Sequence, residues 1–396
     1  VQCSAHSAAA APRPVDGGLY LHVPFCRTVC PYCDFAVVAD RRAAAHDEWL
    51  RAVRASMAAE SAPFAATTVY LGGGTPARLG DQHIADLLAS VRDRFGGAWR
   101  EVTIEANPED LSAERLARWR AAGIDRLSIG VQRLAPARLK VLGRARSAQH
   151  LARLPALLAE WRSAGGQSSI DLMYGLPDED PAAFRRELAA VLDWPVDHLS
   201  AYALTVEPRT PWARATARGR LLPADEDTTA ACHAALIDEV ARRGWDPYEV
   251  SNVAAPGARA LHNAAYWQGR PWLGFGPDAA SSLPTPEGTL RFRRARDWVD
   301  WLAAPTARCE IEIVDAAAGV AERLALGLRS FVGVPAAWLV PWQAAEPALV
   351  GRLLSDGDLG EGEDPGTLAL RPTARLLADE LALRWWTALD AAGFAG

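Results

Sequence analysis

Lysine is almost missing from this chain. Lys140 is the single one in 396 residues, so nearly all of the 42 basic side chains are arginine. We read that as coding bias. Against 48 acidic residues the net charge is −6. No basic face of the kind that tracks a phosphate backbone stands out, which argues against a nucleic-acid partner. No run of eighteen or more apolar residues occurs, so no membrane span is expected, leaving only peripheral contact with a membrane. Six cysteines in this length are too few for a disulfide scaffold, and Cys3, Cys232 and Cys309 are scattered. Clustered free thiols suit a reducing cytoplasm. The Ala, Ser and Pro-rich start lacks the basic and long apolar regions of a signal peptide and reads as a disordered tail over 1–17. With half of its residues hydrophobic, the chain has material for one large domain and a smaller one.

The informative feature is a group of three cysteines in His22-Val23-Pro24-Phe25-Cys26-Arg27-Thr28-Val29-Cys30-Pro31-Tyr32-Cys33-Asp34-Phe35. The spacing is C-x3-C-x2-C. Three thiolates are one short of the four that close a cubane cluster. A [4Fe–4S] cluster on Cys26, Cys30 and Cys33 would keep one iron open for an exchangeable ligand, as chelation of S-adenosylmethionine (SAM) requires. Two plainer readings stand beside it. Cys30-Pro31-Tyr32-Cys33 could be a dithiol pair, and the three cysteines with His22 could bind zinc. His22, however, lies in the strand-like run Leu19–Val23, and no second C-x-x-C exists to complete a zinc ribbon.

Six β-like runs recur: Leu19–Val23, Thr68–Leu71, Glu101–Glu105, Arg126–Val131, Ser168–Met173 and His198–Leu204. Helix-period segments separate them, at Asp47–Ala59, Gln82–Phe95, Ala113–Ala122, near Ala148–Arg162 and at Ala182–Leu192. This alternation implies βα units around a parallel sheet. Six units fall short of the eight that close a TIM barrel, so an α/β fold with an open, partial (β/α)6 barrel is expected. Ligands would sit at the C-terminal strand ends, over about residues 18–220. Residues 221–309 read as a connecting segment. Residues 310–396 read as a small helical domain with a β wing.

The chemistry-bearing residues fall at those strand ends. Gly72-Gly73-Gly74-Thr75-Pro76 lacks the Gly-Lys-Ser/Thr ending of a phosphate loop. Beside the cysteines it suits the amino-acid end of SAM, with an ordinary turn as the alternative. Glu105, Gln132 and Asp171 could grip an ammonium or ribose hydroxyls, and the Arg144 fork could pair with a carboxylate; surface polarity or helix capping would explain each singly. His262-Asn263-Ala264-Ala265-Tyr266-Trp267 could ligate and stack on a haem, although a lone histidine is more often a surface or core residue.

These motifs together resemble a known family. Leu21-His22-Val23-Pro24-Phe25-Cys26 with Cys30-Pro31-Tyr32-Cys33-Asp34-Phe35 is similar to radical-SAM proteins related to oxygen-independent coproporphyrinogen III oxidase. Within that group, His262-Asn263-x-x-Tyr266-Trp267 and Ile170–Pro177 resemble the HemW-type haem chaperones. The likeness runs from about residue 18 to the end. It implies a partial radical-SAM barrel followed by a C-terminal winged-helix-like α+β domain, and a [4Fe–4S] cluster on Cys26, Cys30 and Cys33. It implies SAM contacts from Tyr20, Tyr32, Gly73, Gly74, Thr75, Glu105, Gln132, Arg144 and Asp171, with His262 as the haem-linked histidine. It further implies haem-acceptor proteins, such as respiratory oxidoreductases, and a reducing electron donor as partners. The oxidases carry a fourth cysteine where this chain has Phe35. That favours haem binding and delivery over the alternative, SAM-dependent oxidative decarboxylation of coproporphyrinogen III to protoporphyrinogen IX. The chain also departs from the chaperone pattern at Ala280, usually histidine, at Arg133-Leu134, usually Ser-Phe, and at Arg209, usually glycine.

Overall fold

The computed structural model describes residues 14–39 and 44–393. Its first half holds six parallel strands, β1 (Val15–Val23), β2 (Phe64–Gly73), β3 (Glu101–Ala106), β4 (Arg126–Gln132), β5 (Gln167–Tyr174) and β6 (His198–Ala203). They are neighbours in that order, and each falls on a run expected to form a strand. The tail expected over 1–17 lies outside the described residues up to position 13, and from Val15 the chain is already β1.

Period-two alternation explains why these strands make a curved sheet with two different faces. Leu19, Leu21, Val69, Leu71, Ile104, Leu127, Ile129, Ile170 and Leu199 are buried in one continuous core. Each such fully buried side chain contributes about 1.5–3 kcal/mol over its exposed state. The positions between them carry Tyr20, Tyr70, Glu105, Ser128, Asp171 and Tyr202, so the opposite, luminal face is polar.

Helices α1 (Ala44–Ala59), α2 (Asp81–Phe95), α3 (Ala113–Ala122), α4 (Leu154–Ser163) and α5 (Pro181–Leu192) cover the apolar face. Their starts follow from capping. The Ser112 hydroxyl accepts from the Arg115 amide at 3.3 Å, and Asp180 accepts from the Ala182 amide at 2.9 Å, just ahead of Pro181, whose missing N–H is no loss there. The single helix expected near Ala148–Arg162 is instead two, Ala148–Leu151 and α4. Pro155, at the start of α4, has no amide to carry the first helix onward.

The segment 221–309, expected to be a connector, is largely woven into the sheet. After α6 (Glu226–Ala241), β7 (Asn252–Ala254) runs antiparallel on the free edge of β6. Following α7 (Leu261–Trp267), β8 (Trp272–Phe275) pairs parallel with the other edge of β1. Antiparallel β9 (Ala280–Thr285), β10 (Gly288–Arg293) and β11 (Cys309–Val314) complete an open sheet of eleven strands, ordered β11-β10-β9-β8-β1-β2-β3-β4-β5-β6-β7. Residues 309–314 thus join the large sheet, with Val314 opposite Thr289, rather than opening the C-terminal unit.

That unit begins at α8 (Ala316–Leu328). With α9 (Leu339–Ala345), α10 (Pro347–Ser355) and α11 (Ala378–Ala391) it surrounds a three-stranded antiparallel sheet of Val334–Pro335, Leu359–Glu361 and Thr367–Leu370. It has a core of its own, in which Trp342 stacks on Trp385 at 4.5 Å. Among the described residues no helix is long and apolar enough to cross a membrane.

Candidate functional site

The loop after β1 carries Cys26, Cys30 and Cys33, each half-buried, onto one wall of a cavity of about 560 Å³ at the C-terminal strand ends. Several bonds pin this loop. Phe25–Cys26 pairs with Val38–Ala39, the Trp212 amide donates to the Pro31 carbonyl at 3.1 Å, and Arg209 grips Asp34 at 2.7 and 3.1 Å. His22 Nε2 donates to the Ala36 carbonyl at 2.9 Å, leaving Nδ1 to accept from the Tyr20 hydroxyl at 3.1 Å. Both ring nitrogens of His22 are therefore engaged, which removes it as a zinc ligand. Among the described residues no three His, Cys, Asp or Glu side chains converge as a single metal ion would need. Cluster cysteines bind separate irons, so this donor set fits a cluster better than one ion. Burial pushes the Cys26 thiol up to about 12 and raises Cys33 as well. Iron supplies the positive charge that would make these thiols thiolates.

The glycine run after β2 fits against this loop. Gly73 has φ +108°, and a Cβ there would meet the His22 ring at 2.6 Å; one on Gly74 would meet the Pro24 backbone at 2.8 Å. Glycine alone allows that approach. It lets the Gly74 and Thr75 amides donate to the carbonyls of Val23 and Phe25 at 2.8 and 2.9 Å. Gly74 and Thr75 then line the cavity, and Thr75 Oγ1 lies 3.9 Å from Cys26 Sγ. Gly73 stands behind the wall, its amide donating to Glu105 at 3.0 Å.

Polar luminal side chains form the facing wall. Glu105 accepts from the Tyr70 hydroxyl at 2.9 Å; burial, and then the nearby Asp171, push its carboxyl up to about 7. Asp171 accepts from Ser128 at 3.1 Å, and burial raises it too. Gln132 has φ +65° at a bulge in β4, which turns it toward the cavity. Arg144 donates to the Gly130 carbonyl at 2.9 Å, while its buried Nε has no partner. Tyr32 packs on Trp212 with ring centroids 5.7 Å apart. The carboxyls of Glu105 and Asp171, the Arg144 guanidinium with its unused donor and three thiols thus share one cavity, which Glu109, Arg27 and Arg146 also line. That set can orient a zwitterion, its cation toward the carboxyls and its carboxylate toward Arg144.

Tyr32, Gly74, Thr75, Glu105, Gln132, Arg144 and Asp171 are brought together with the three cysteines. Tyr20 and His262 are not. Tyr20 faces a second, larger groove of about 1560 Å³ between the β8–β10 edge and the C-terminal unit, lined also by Tyr266, Trp267, Trp272, Arg291 and Arg323. Phe35 is 65 % exposed and borders both cavities. His262 lies inside the barrel near the start of β2, its Nδ1 2.8 Å from the Thr68 hydroxyl and its Nε2 2.9 Å from the Tyr266 hydroxyl. Burial lowers it to about 3, so the ring is neutral and both nitrogens are engaged.

Two departures from the family pattern, Arg133 and Arg209, have local explanations; nothing in the structure explains Ala280 or Leu134. Arg133 points away from the cavity into a buried pair with Glu179 and Glu187. Arg209 anchors the cysteine loop through Asp34. The Ala280 carbonyl accepts from the Trp272 indole at 3.1 Å at the groove's edge. Asn107, Ser128 and Tyr202 line the cysteine cavity without having been singled out. Ser128 and Tyr202 sit on the same alternating face as Asp171, so strand period would have found them.

The chain is similar to several known proteins. The Radical SAM superfamily matches residues 20–188. A heme chaperone HemW of Mycobacterium tuberculosis (strain ATCC 25618 / H37Rv) is 38 % identical over 381 residues, covering 93 % of this chain and 95 % of that protein. The HemW heme chaperone of Escherichia coli (strain K12) is 34 % identical over 280 residues, covering 69 % and 71 %. The solved coproporphyrinogen III oxidase of Escherichia coli, a radical SAM enzyme, superposes with a TM-score of 0.77 at 21 % identity, over 96 % of this chain and 92 % of that one. That likeness is one of fold.

Proposed function

The chain belongs to the HemW family of radical SAM proteins, and from that premise we propose that it binds haem and hands it to haem-dependent respiratory proteins in the cytoplasm. Cys26, Cys30 and Cys33 would hold a [4Fe–4S] cluster. Tyr32, Gly74, Thr75, Glu105, Gln132, Arg144 and Asp171 would hold SAM beside it. When bound, the cluster would supply one-electron chemistry, fed by a reducing donor, at the edge of the cavity. The chain's own part is to orient: Arg144 takes the carboxylate of SAM, and Glu105 with Asp171 takes its ammonium. The observation that carries this reading is the convergence of three thiols and an unpartnered, buried arginine donor on one cavity.

Haem would occupy the second groove, where Tyr266 and Trp267 offer aromatic rings and Arg323 suits a propionate, while Arg291 would first have to leave Glu322. His262 would reach the iron only by giving up its bonds to Thr68 and Tyr266. Anaerobic reconstitution with iron and sulfide, followed by haem titration and by incubation with coproporphyrinogen III and SAM, tests the proposal. The expected result is about one haem per chain, set by a single groove, lost in His262→Ala, with no protoporphyrinogen IX. Turnover of coproporphyrinogen III by a protein that ignores haem would replace this reading with an oxidase.

A further inference from the structure

A column of side chains crosses the barrel from the cysteine-lined cavity to the second groove. At the cavity, Glu105 accepts from the Tyr70 hydroxyl at 2.9 Å. The Tyr70 ring stacks on the His262 imidazole with centroids 5.2 Å apart and planes 28° off parallel. His262 Nε2 shares a hydrogen bond with the Tyr266 hydroxyl at 2.9 Å. The Tyr266 ring meets Trp272 edge-on at 4.9 Å, and both line the groove. The column has little slack. Glu101 accepts from the amides of Leu261 and His262 at 2.7 and 3.0 Å, fixing the start of α7. A neutral imidazole has one donor and one acceptor, and His262 uses both.

Tyr70 is the joint in this column. Its hydroxyl carries one hydrogen and gives it to Glu105, which lines the cavity. A cationic ligand that draws in the Glu105 carboxylate competes with that bond. The Tyr70 ring cannot then tilt without moving the imidazole stacked on it and, through Nε2, the Tyr266 hydroxyl. We infer that Tyr70 is a positioning residue that couples occupancy of the cysteine-lined cavity to the aromatic wall of the second groove through His262 and Tyr266. This rests on the reading of that cavity as a SAM site. It gives His262 a role while its nitrogens are engaged: it transmits the state of one site to the other.

The test compares the reconstituted wild-type chain with Tyr70→Phe, which keeps the ring stack and removes only the hydroxyl. SAM binding is measured by equilibrium dialysis, and each protein is then studied at SAM concentrations that saturate it. Amide hydrogen exchange over residues 261–272 is the readout. In the wild type, SAM should change exchange there by about fivefold or more, the lower end of ordinary coupling. In Tyr70→Phe the change should fall below about twofold. Tyr266→Phe gives a second measure at the far end: the ratio of haem affinities with and without SAM should move toward one. SAM bound by the wild type with α7 silent would overturn the coupling alone. An undiminished response in both variants would do the same. SAM failing to bind the wild type would overturn the cofactor reading, and the coupling with it.

Discussion

The cysteine-lined cavity and the His262 pocket are neighbours in the same polar lumen, with the Tyr70 ring between them, yet they are built on opposite principles. At the cavity, capacity is left over: three half-buried thiols and an Arg144 Nε with no partner stand beside two carboxyls that burial raises although Tyr70, Gly73 and Ser128 donate to them. At the pocket the histidine itself has nothing to spare, because Thr68 and Tyr266 engage both nitrogens of His262. Buried polar groups are normally satisfied. A concave region that gathers free thiols around an unpartnered donor is therefore a better pointer to a ligand than a motif whose members are all paired. The difference also separates two neighbours in sequence. Gln132 turns into the cavity, while Arg133 turns away from it into its ion pairs.

The sharpest way to test this contrast is to break a fully satisfied group. Arg133→Ala leaves the fully buried Glu179 with Arg138, at 3.0 Å, as its remaining cation and strips Glu187 of its guanidinium. Removing one partner of such a cluster should cost at most about 3–5 kcal/mol in urea unfolding, with SAM affinity unchanged once the protein is folded. A loss of SAM affinity without a loss of stability would place Arg133 at the cavity after all.

Glu105 should behave in the opposite way. Its folded carboxyl titrates at about 7 against a reference of 4.5, so the native state holds a proton more tightly than the unfolded chain. The cost of ionising it appears as pH rises above about 4.5 and is complete above about 7. Glu105→Gln should therefore stabilise the fold at pH 8 by at most about 3 kcal/mol, with no gain at pH 4, while SAM binding is lost. Equal stability of the two proteins at both pH values would show that the carboxyl is better solvated than its burial suggests.

His262 supplies a third, smaller effect of reversed sign. Its folded value of about 3 lies below the reference of 6.5, so the unfolded state takes up the proton first. Stability is lost as pH falls below about 6.5. His262→Gln removes this titration. The variant's deficit relative to wild type should shrink by about 2 kcal/mol between pH 7 and pH 5. A deficit that stays constant over that range would mean the imidazole is protonated in the fold, and that it is not held by two neutral hydroxyls.

Much of the barrel was legible because strands with one apolar face, alternating with helix-period segments, leave a strong mark in sequence. Each of the six expected runs falls on a strand, and Ala113–Ala122 is α3 to the residue. The cysteine site was legible for a related reason: the C-x3-C-x2-C spacing and the loops that follow β2 to β5 converge by topology on one rim. The edge strands were harder. β10 and β11 carry Thr289, Arg291, Arg293, Glu310 and Glu312, and half-exposed edge strands of this kind lack an apolar run. The roles of Tyr20, Gly73 and His262 were harder still. Which way a luminal residue faces, and whether a neighbour already holds it, depends on contacts across the sheet such as Gly73 to Glu105 and His262 to Thr68. Spacing along the chain does not encode those contacts.

Arg209 is the weakest test and in one respect the most discriminating. Like Arg133 it departs from the family pattern and pairs with an acid, but its side chain is 66 % exposed where that of Arg133 is 1 %. Solvent screens such a pair and its entropy cost offsets most of the attraction. Asp34 also keeps a second contact, to Arg296 at 3.4 Å. Arg209→Gly should accordingly leave the urea midpoint where it is, with only faster amide exchange around residues 33–36 to show that the cysteine loop has lost a tether. If the midpoint instead falls as far as in Arg133→Ala, burial is not what separates the two arginines. The loop would then be a stability element in its own right, and the contrast between satisfied core and open rim would need redrawing at Asp34.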